Sequence, residues 1–524
     1  MKKLPIGIQG FEGLRKDGYL YVDKTEYIYK LCSTGKEYFL SRPRRFGKSL
    51  FLSAMKAYWE GKKELFLGLR LEELEKDHAD AWKKYPVFYF DFNGENFQAE
   101  TGLDNIIDEH LKRWEAEYMP GEHPSGTLGS RFRTLLIKAY EQTGLRSVVL
   151  VDEYDKPLLD VMNNNALEEH NKAVFKGFFS SLKGFDEQIR FVMITGVTKF
   201  EKVSIFSDLN QLEDISLDEE YAGICGITDD EIEDCFLPEI ERMAQQRGIT
   251  PEICREMLRS KYDGYHFSAN MNFAVYNPYS LLSALKKSRF GSYWFESGTP
   301  SFLVKRLKDK GFDLRKLSDR TIYATELALS EYRADDTDFI PLLYQTGYLT
   351  IVEYDEKNNI YTLGFPNDEV KYAFLESLVP EYLIDSGTGT GKDILTLRRY
   401  IESGDLEGIR NVFTALFASI PYVTNDPPFE HYFQTVFYLV FTLLKQFTSC
   451  ETHTWQGRID CILETDDYVY LFEFKVDDTA DAALQQIEDK GYALPYAADQ
   501  RTIYKVGASF DSKKRMLDDW KVVE

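Results

Sequence analysis

The sequence predicts an α/β chain organised around a parallel sheet, and three observations carry that prediction. Apolar runs that read as strands recur through the first two hundred residues: Tyr38-Phe39-Leu40, Pro86–Phe92, Ser147–Val151 and Ile189–Ile194. Helix-like stretches, Leu50–Met55 and Ile106–Tyr118 among them, lie between those runs. Alternating β and α elements imply a parallel sheet with helices on both faces, and a strand buried in such a sheet reads as a continuous apolar run. Finally, Tyr38–Leu40 leads through a Gly-Lys-Ser turn straight into a helical pattern, the setting a phosphate-binding loop requires.

That turn is Arg42-Pro43-Arg44-Arg45-Phe46-Gly47-Lys48-Ser49. Backbone N–H groups and the helix N-terminus face the phosphates in such a loop, so Arg44, Arg45 and Gly47 are expected in the cradle. Lys48 is expected on the β/γ-phosphates, and the Ser49 hydroxyl on Mg²⁺. The pattern GxxxxGK[ST] asks for Gly at position 42, where this chain has Arg. A basic turn that merely caps a helix would share part of this pattern, but a second element argues against it. Ser147–Val151 ends in Asp152-Glu153. Asp152 is placed to hold Mg²⁺ through water, and Glu153 to polarise an attacking water as general base. Ile189–Ile194 ends at Thr195, which is expected to sense the γ-phosphate.

Composition narrows the classes. By the length prior, 524 residues should hold roughly three or four domains. No run reaches the about 18 apolar residues of a membrane span. Lys2 and Lys3 precede no apolar segment of a signal peptide. The six cysteines are scattered without a CxxC pair, which opposes a zinc site or disulfide framework and fits a reducing cytoplasm. A net charge of −23 opposes a protein that coats DNA generally. Nucleic acid, if bound, must meet a local basic patch or a metal-masked acidic site.

The expected organisation is a nucleotide-binding domain over 1–215, a helical and winged-helix-like region over 216–384, and a third domain over 394–524. Asp229–Gln246 and Pro251–Lys261 carry helical spacing. The aromatic turns Tyr262–Phe267 and Val275–Pro278 follow, with His266 read as packed rather than catalytic. Ile340–Tyr344 reads as a helix, and Tyr348–Tyr354 with Ile360–Phe365 as a strand pair, a winged-helix-like module too acidic to favour DNA. Ser386–Lys392 imitates a phosphate loop, but Asp393 stands where the magnesium hydroxyl should be, so it reads as a linker.

A second constellation lies in the last hundred residues. Gly457–Leu463 and Tyr468–Lys475 read as hairpin-connected strands. Glu473 and Lys475, two apart, project from one face of their strand, and Asp460 on the preceding strand can meet them. Two carboxylates and a lysine in this arrangement can hold Mg²⁺, or Mn²⁺, and activate water against a phosphodiester. Glu430 and Gln486 are candidate accessory residues, the latter on a flanking helix. An exposed hairpin with ordinary charges is the plainer alternative, but these charges interrupt a strongly apolar strand.

The N-terminal two-thirds resembles a bacterial family of AAA-ATPase-like proteins, on Tyr21–Thr25, Arg42–Ser49, Val151–Asp155, Thr195–Phe200 and Tyr262–Phe267. The C-terminal part resembles the PD-(D/E)xK nuclease superfamily, on Glu430, Asp460, Glu473, Lys475 and Gln486. The resemblance implies ATP binding by a P-loop NTPase sheet, followed by a restriction-endonuclease-like α/β domain. The expected activity is ATP hydrolysis coupled to metal-dependent cleavage of nucleic acid, in defence or mobile-element biology. Two rivals are a nucleotide-dependent binding switch whose nuclease-fold domain does not cut, and an adaptor that binds ATP for stability. A cytoplasmic location, no membrane partner and room for an oligomer complete the expectation.

Overall fold

A computed structural model describes residues 2–122, 124–162, 164–199, 212–296, 307, 317, 322–330, 339–382, 389–418, 439–440, 442–444, 449–451, 459–514 and 516–524. Contacts divide the chain into two compact units, Met1–Ser297 with Arg320–Glu369, and Gly298–Asp319 with Val370–Glu524. The sheet, the helical region and the winged module therefore share the first unit, and residue 215 lies within it. Among the described residues no helix is long and apolar enough to cross a membrane.

The first unit is built on strands β1 (Glu37–Ser41), β2 (Val87–Asp91), β3 (Ser147–Asp152), β4 (Ile189–Gly196) and β5 (Glu213–Asp214). They pair in the order β2-β3-β4-β1-β5, all in parallel. All six residues of β3 are buried, as the unbroken apolar run Ser147–Val151 requires. β4 separates β1 from β3. Leu40 pairs with Thr195, and Val151 with Ile194, so the ends of the three strands lie abreast.

Helices Asp229–Arg247, Pro251–Tyr262 and Pro278–Lys287 form a separate apolar core around Phe236, Met243, Leu258, Tyr276 and Leu281. The first of these helices starts with a capping box between Thr228 and Glu231, which satisfies two otherwise unpaired backbone donors. Strands β6 (Ile322–Ala324), β7 (Thr350–Asp355) and β8 (Ile360–Gly364) form an antiparallel sheet in the order β6-β8-β7, behind helix Ile340–Gln345.

The second unit carries β9 (Ser449–Glu451), β10 (Cys461–Glu464), β11 (Tyr468–Val476), β12 (Thr502–Asp511) and β13 (Met516–Val523), paired in the order β13-β12-β11-β10-β9. β11 and β12 run parallel, connected through helix Ala480–Asp489. The linker expected at 386–392 is corrected in part: a helix spans Gly389–Ser403, so the Gly-Lys pair belongs to its first turn.

Candidate functional site

The phosphate loop leaves β1 and turns into helix Lys48–Trp59. Gly47 at its N-cap has φ 101°, a left-handed conformation that suits glycine. Among the described residues no side chain caps this helix, so its first amides stay open to an anion. Lys48 is buried, and its ammonium donates to the Arg42 and Pro43 carbonyls at 2.8 and 3.0 Å. Its charge is thus held inside the cradle by the loop's own backbone. Ser49 follows, half-buried, its hydroxyl without a partner among the described residues. Arg44 is exposed. Arg45, at φ 65°, lies 4.1 Å from the centroid of the Tyr279 ring, against the helical region.

Arg42 does what the missing glycine could not. Its side chain is 1% exposed and points away from the cradle. The guanidinium donates to the carbonyls of Ser41 (2.8 Å), Ser216 (2.7 Å) and Tyr221 (3.1 Å), and lies 4.2 Å from the Phe267 ring centroid. Burial pulls its pKa down. Phe46 fills the neighbouring space, edge-on to Tyr265 and Phe267. From the short helix Tyr293–Glu296, Trp294 Nε1 donates to the Arg44 carbonyl at 3.0 Å, while its backbone N–H is held by Glu369 Oε1 at 2.8 Å. Gly347, at φ 89°, approaches so closely that a Cβ there would lie 2.7 Å from Pro43 Cβ.

The acids at the end of β3 differ in their surroundings. Asp152 is buried, its two oxygens receiving the hydroxyls of Thr195 (2.7 Å) and Tyr89 (3.2 Å). Thr195 is completely buried, and its hydroxyl braces Asp152. The strand order explains it: β4 lies directly beside β3. Glu153 has φ 51°, a conformation uncommon for a non-glycine residue and one that persists where function uses it. Burial pushes its pKa up, opposed first by the Lys48 charge. Asp155, fully buried, accepts from Val197 N, Thr198 N and Thr198 Oγ1 at 2.9, 2.6 and 2.8 Å. It pins the turn after β4 to the end of β3.

Beside the loop lies a mainly apolar crevice of about 90 Å³, lined by Val22, Phe46, Gly47, Leu50, Ile224 and Pro278 among others. The buried Lys24 closes one wall, bonding Gly223 O at 2.8 Å and pairing with Glu231.

The second unit holds the other group. Asp460 comes just before β10 rather than within it, and its Oδ2 accepts the Phe474 N–H at 2.8 Å. This ties it beside Glu473. Lys475 Nζ lies 3.5 Å from Glu473 Oε1. Gln486 bridges the pair, its amide N–H donating to Glu473 and its oxygen accepting from Lys475. Tyr492 hydrogen-bonds Gln486 in turn. Glu473 is 2% exposed, and its Oε2 has no hydrogen-bond partner among the described residues. Burial, then the Asp460 charge, raises its pKa to about 7. A buried, unpartnered carboxylate oxygen beside a second acid fits a hard divalent cation. Among the described residues no three His, Cys, Asp or Glu side chains gather as a metal cluster. Glu430 and the Gly457-Arg458 lead-in lie outside the described residues.

Residues 5–206 match the family model described as predicted AAA-ATPase, and residues 428–520 match that of the PD-(D/E)XK nuclease superfamily. An Azotobacter chroococcum mcd 1 protein, described as an uncharacterized protein in the vnfD 5' region, is 38% identical over 530 residues, covering 98% of each chain. The chain belongs to the predicted AAA-ATPase family, with a C-terminal PD-(D/E)XK nuclease superfamily domain. Two solved structures, Cdc6p from Pyrobaculum aerophilum and the Aeropyrum pernix ORC1 protein in complex with DNA, each align with 68% of the chain and 93% and 92% of their own. They are 13% and 11% identical, with TM-scores of 0.23 and 0.24, and carry no argument.

In this AAA-ATPase-like protein the spacing of single motifs singled out Lys48, Asp152, Glu153, Glu473 and Lys475 as candidates. It missed Tyr89, Asp155, Trp294 and Tyr492. Asp155 follows Asp152 by three residues and carried a local signal. Trp294 reaches the loop from 250 positions away, and no local pattern could have shown it.

Proposed function

We propose that the first unit binds and hydrolyses ATP, and that the second cleaves nucleic-acid phosphodiesters with a divalent metal. Lys48 would leave its two loop carbonyls for the β/γ-phosphates, and the uncapped amides of helix Lys48–Trp59 would face the same charge. Ser49 and Asp152 would hold Mg²⁺, with Thr195 and Tyr89 keeping the Asp152 carboxylate in place. Glu153 would orient and deprotonate the attacking water, its carboxylate made more basic by burial. The apolar crevice beside Gly47 is the place for the base of the nucleotide. When bound, the metals neutralise phosphate charge and generate a nucleophilic water.

In the second unit Asp460 and Glu473 would hold Mg²⁺ or Mn²⁺, and Lys475 would stabilise charge on the attacked phosphate. The observation that carries this reading is the Oε2 of Glu473, buried and without a hydrogen-bond partner among the described residues, in a carboxylate whose Oε1 lies 3.5 Å from Lys475 Nζ. ATP state at the first site would govern cutting at the second, in defence or mobile-element biology. The binding switch is the second reading, favoured by the net charge of −23.

The test incubates the full chain with single- and double-stranded DNA and RNA, with Mg²⁺ or Mn²⁺, with and without ATP. Metal-dependent cleavage that Glu473→Ala abolishes supports the nuclease. Cleavage surviving both Glu473→Ala and chelator would assign it elsewhere, and no cleavage of any substrate would leave the binding switch. Calorimetry with Lys48→Ala tests the ATP site separately, where losing a charge-assisted contact should weaken binding by roughly 1.5–3 kcal/mol.

A further inference from the structure

Helix Lys48–Trp59 has a phosphate loop at one end and a cavity at the other. The cavity holds about 420 Å³ and lies by Trp59, Tyr85 and Arg190. Tyr85 just precedes β2 and Arg190 is the second residue of β4, so this is the N-terminal edge of the parallel sheet. Nucleotides in such sheets bind outside the carboxyl ends. Lys48 and Trp59 are roughly 17 Å apart along the helix. The cavity is therefore separate from the phosphate loop.

Its walls are aromatic. Tyr58 lies against Trp82 with centroids 5.4 Å apart, and Trp59 against Tyr85 at 5.0 Å, both pairs edge-to-face. Tyr29 stacks with His78 at 5.5 Å. Trp82 is placed by a left-handed backbone, φ 63°, uncommon for a bulky residue. Strain of this kind clusters at ligand clamps and switch regions.

The charges around the cavity are unequally engaged. Glu75 is buried and receives the Tyr58 hydroxyl at 2.6 Å and pairs with His78 Nδ1 at 3.1 Å. Asp80 pairs with Lys83, and Asp77 stands exposed at the rim. Arg190 has neither hydrogen bond nor ion pair among the described residues. Its guanidinium lies 5.7 Å from the Trp59 ring centroid. The unspent group on the aromatic wall is thus a half-buried planar cation, which favours bidentate anions. The volume falls within the range of small-molecule sites.

We propose that this cavity is a second ligand site, taking a planar aromatic anion of mononucleotide size, its ring on the aromatic wall and its anionic group on Arg190. The probes are AMP, GMP, CMP and UMP, with adenosine and inorganic phosphate as half-ligands, titrated calorimetrically into the full chain. At least one monophosphate is expected to bind saturably, and equally well to Lys48→Ala. Arg190→Ala should weaken it by about tenfold or more, with Arg190→Lys recovering part. Trp82→Ala should weaken it as well. Unchanged thermal melting of Arg190→Ala keeps a folding defect from imitating the result. Four results would each overturn the proposal: no saturable binding of any monophosphate; equal affinity in Arg190→Ala; loss of binding in Lys48→Ala, which places the probe on the phosphate loop; or adenosine or phosphate alone binding as tightly as the monophosphate.

Discussion

Replacing Arg42 by glycine restores the consensus of the phosphate loop, and should nevertheless damage this protein. The side chain donates to two carbonyls far away in sequence, Ser216 and Tyr221, and one adjacent, Ser41. Hydrogen bonds from a charged donor contribute about 1.5–3 kcal/mol each, and the contact with Phe267 adds up to about 2 kcal/mol where desolvated. Three effects reduce the sum. The buried guanidinium is itself costly to desolvate, and its Nε has no acceptor among the described residues. A cavity of about 180 Å³ lined by Ser41, Arg42 and Ser216 also lets water reach the abandoned carbonyls. The net loss should be about 2–4 kcal/mol, a large effect for one substitution. Loosening the loop's junction with Phe267 should weaken ATP–Mg²⁺ binding by roughly tenfold, about 1.4 kcal/mol. Thermal melting and calorimetry measure the two effects. Arg42→Lys should fall between, since an ammonium cannot reproduce the planar fork. Melting and ATP affinity both equal to wild type in Arg42→Gly would refute the assignment of Arg42 as the loop's anchor.

Glu153→Gln should keep ATP binding and lose hydrolysis by on the order of 10²–10⁴; single-turnover rates equal to wild type would remove Glu153 from the role of base. Asp263 is buried and burial raises its pKa to about 6, so the folded protein holds that proton more tightly than the unfolded chain. Its penalty is absent below the unfolded pKa of about 3.9 and complete above about 6, so stability from this group falls as pH rises through that window, by up to about 3 kcal/mol. Asp263→Asn should therefore melt higher than wild type at pH 7.5, with the advantage shrinking toward pH 4; an advantage independent of pH would contradict it. Lys475→Ala should impair cleavage while metal binding falls much less, because an ammonium is not a ligand; equal loss of both by calorimetry and cleavage assay would place Lys475 in a purely structural role.

What was legible in the sequence was what chain neighbours decide. The Gly-Lys-Ser turn, the acids ending an apolar strand, and the Glu473–Lys475 spacing are local, and the structure keeps each on its element. What strand order decides was not legible. Thr195 reads locally as a polar residue ending a strand, and only the placement of β4 beside β3 brings its hydroxyl to Asp152. Arg42 looked like a defect in a loop, because Ser216, Tyr221 and Phe267 lie more than 170 positions on. Asp460 was expected within a strand and stands just before one, held by a backbone N–H that only the pairing of β10 with β11 supplies.

Trp294, Gly347 and Glu369 close over a loop that ends at Gly47, and this has a consequence for synthesis. At roughly 5–20 residues per second, the ~320 residues between Gly47 and Glu369 take roughly 15–65 s to emerge from a ribosome. By then Gly298–Asp319, which belongs to the second unit, has also been made. For the first ~220 of those residues, roughly 11–44 s, Phe46 and Arg42 lack Tyr265 and Phe267, and until Glu369 emerges the loop lacks its complete cover. A nascent chain of that length holds its first half without this cover. Its aromatic residues wait exposed for partners encoded hundreds of codons downstream, and that half-made state is where a chaperone would be needed.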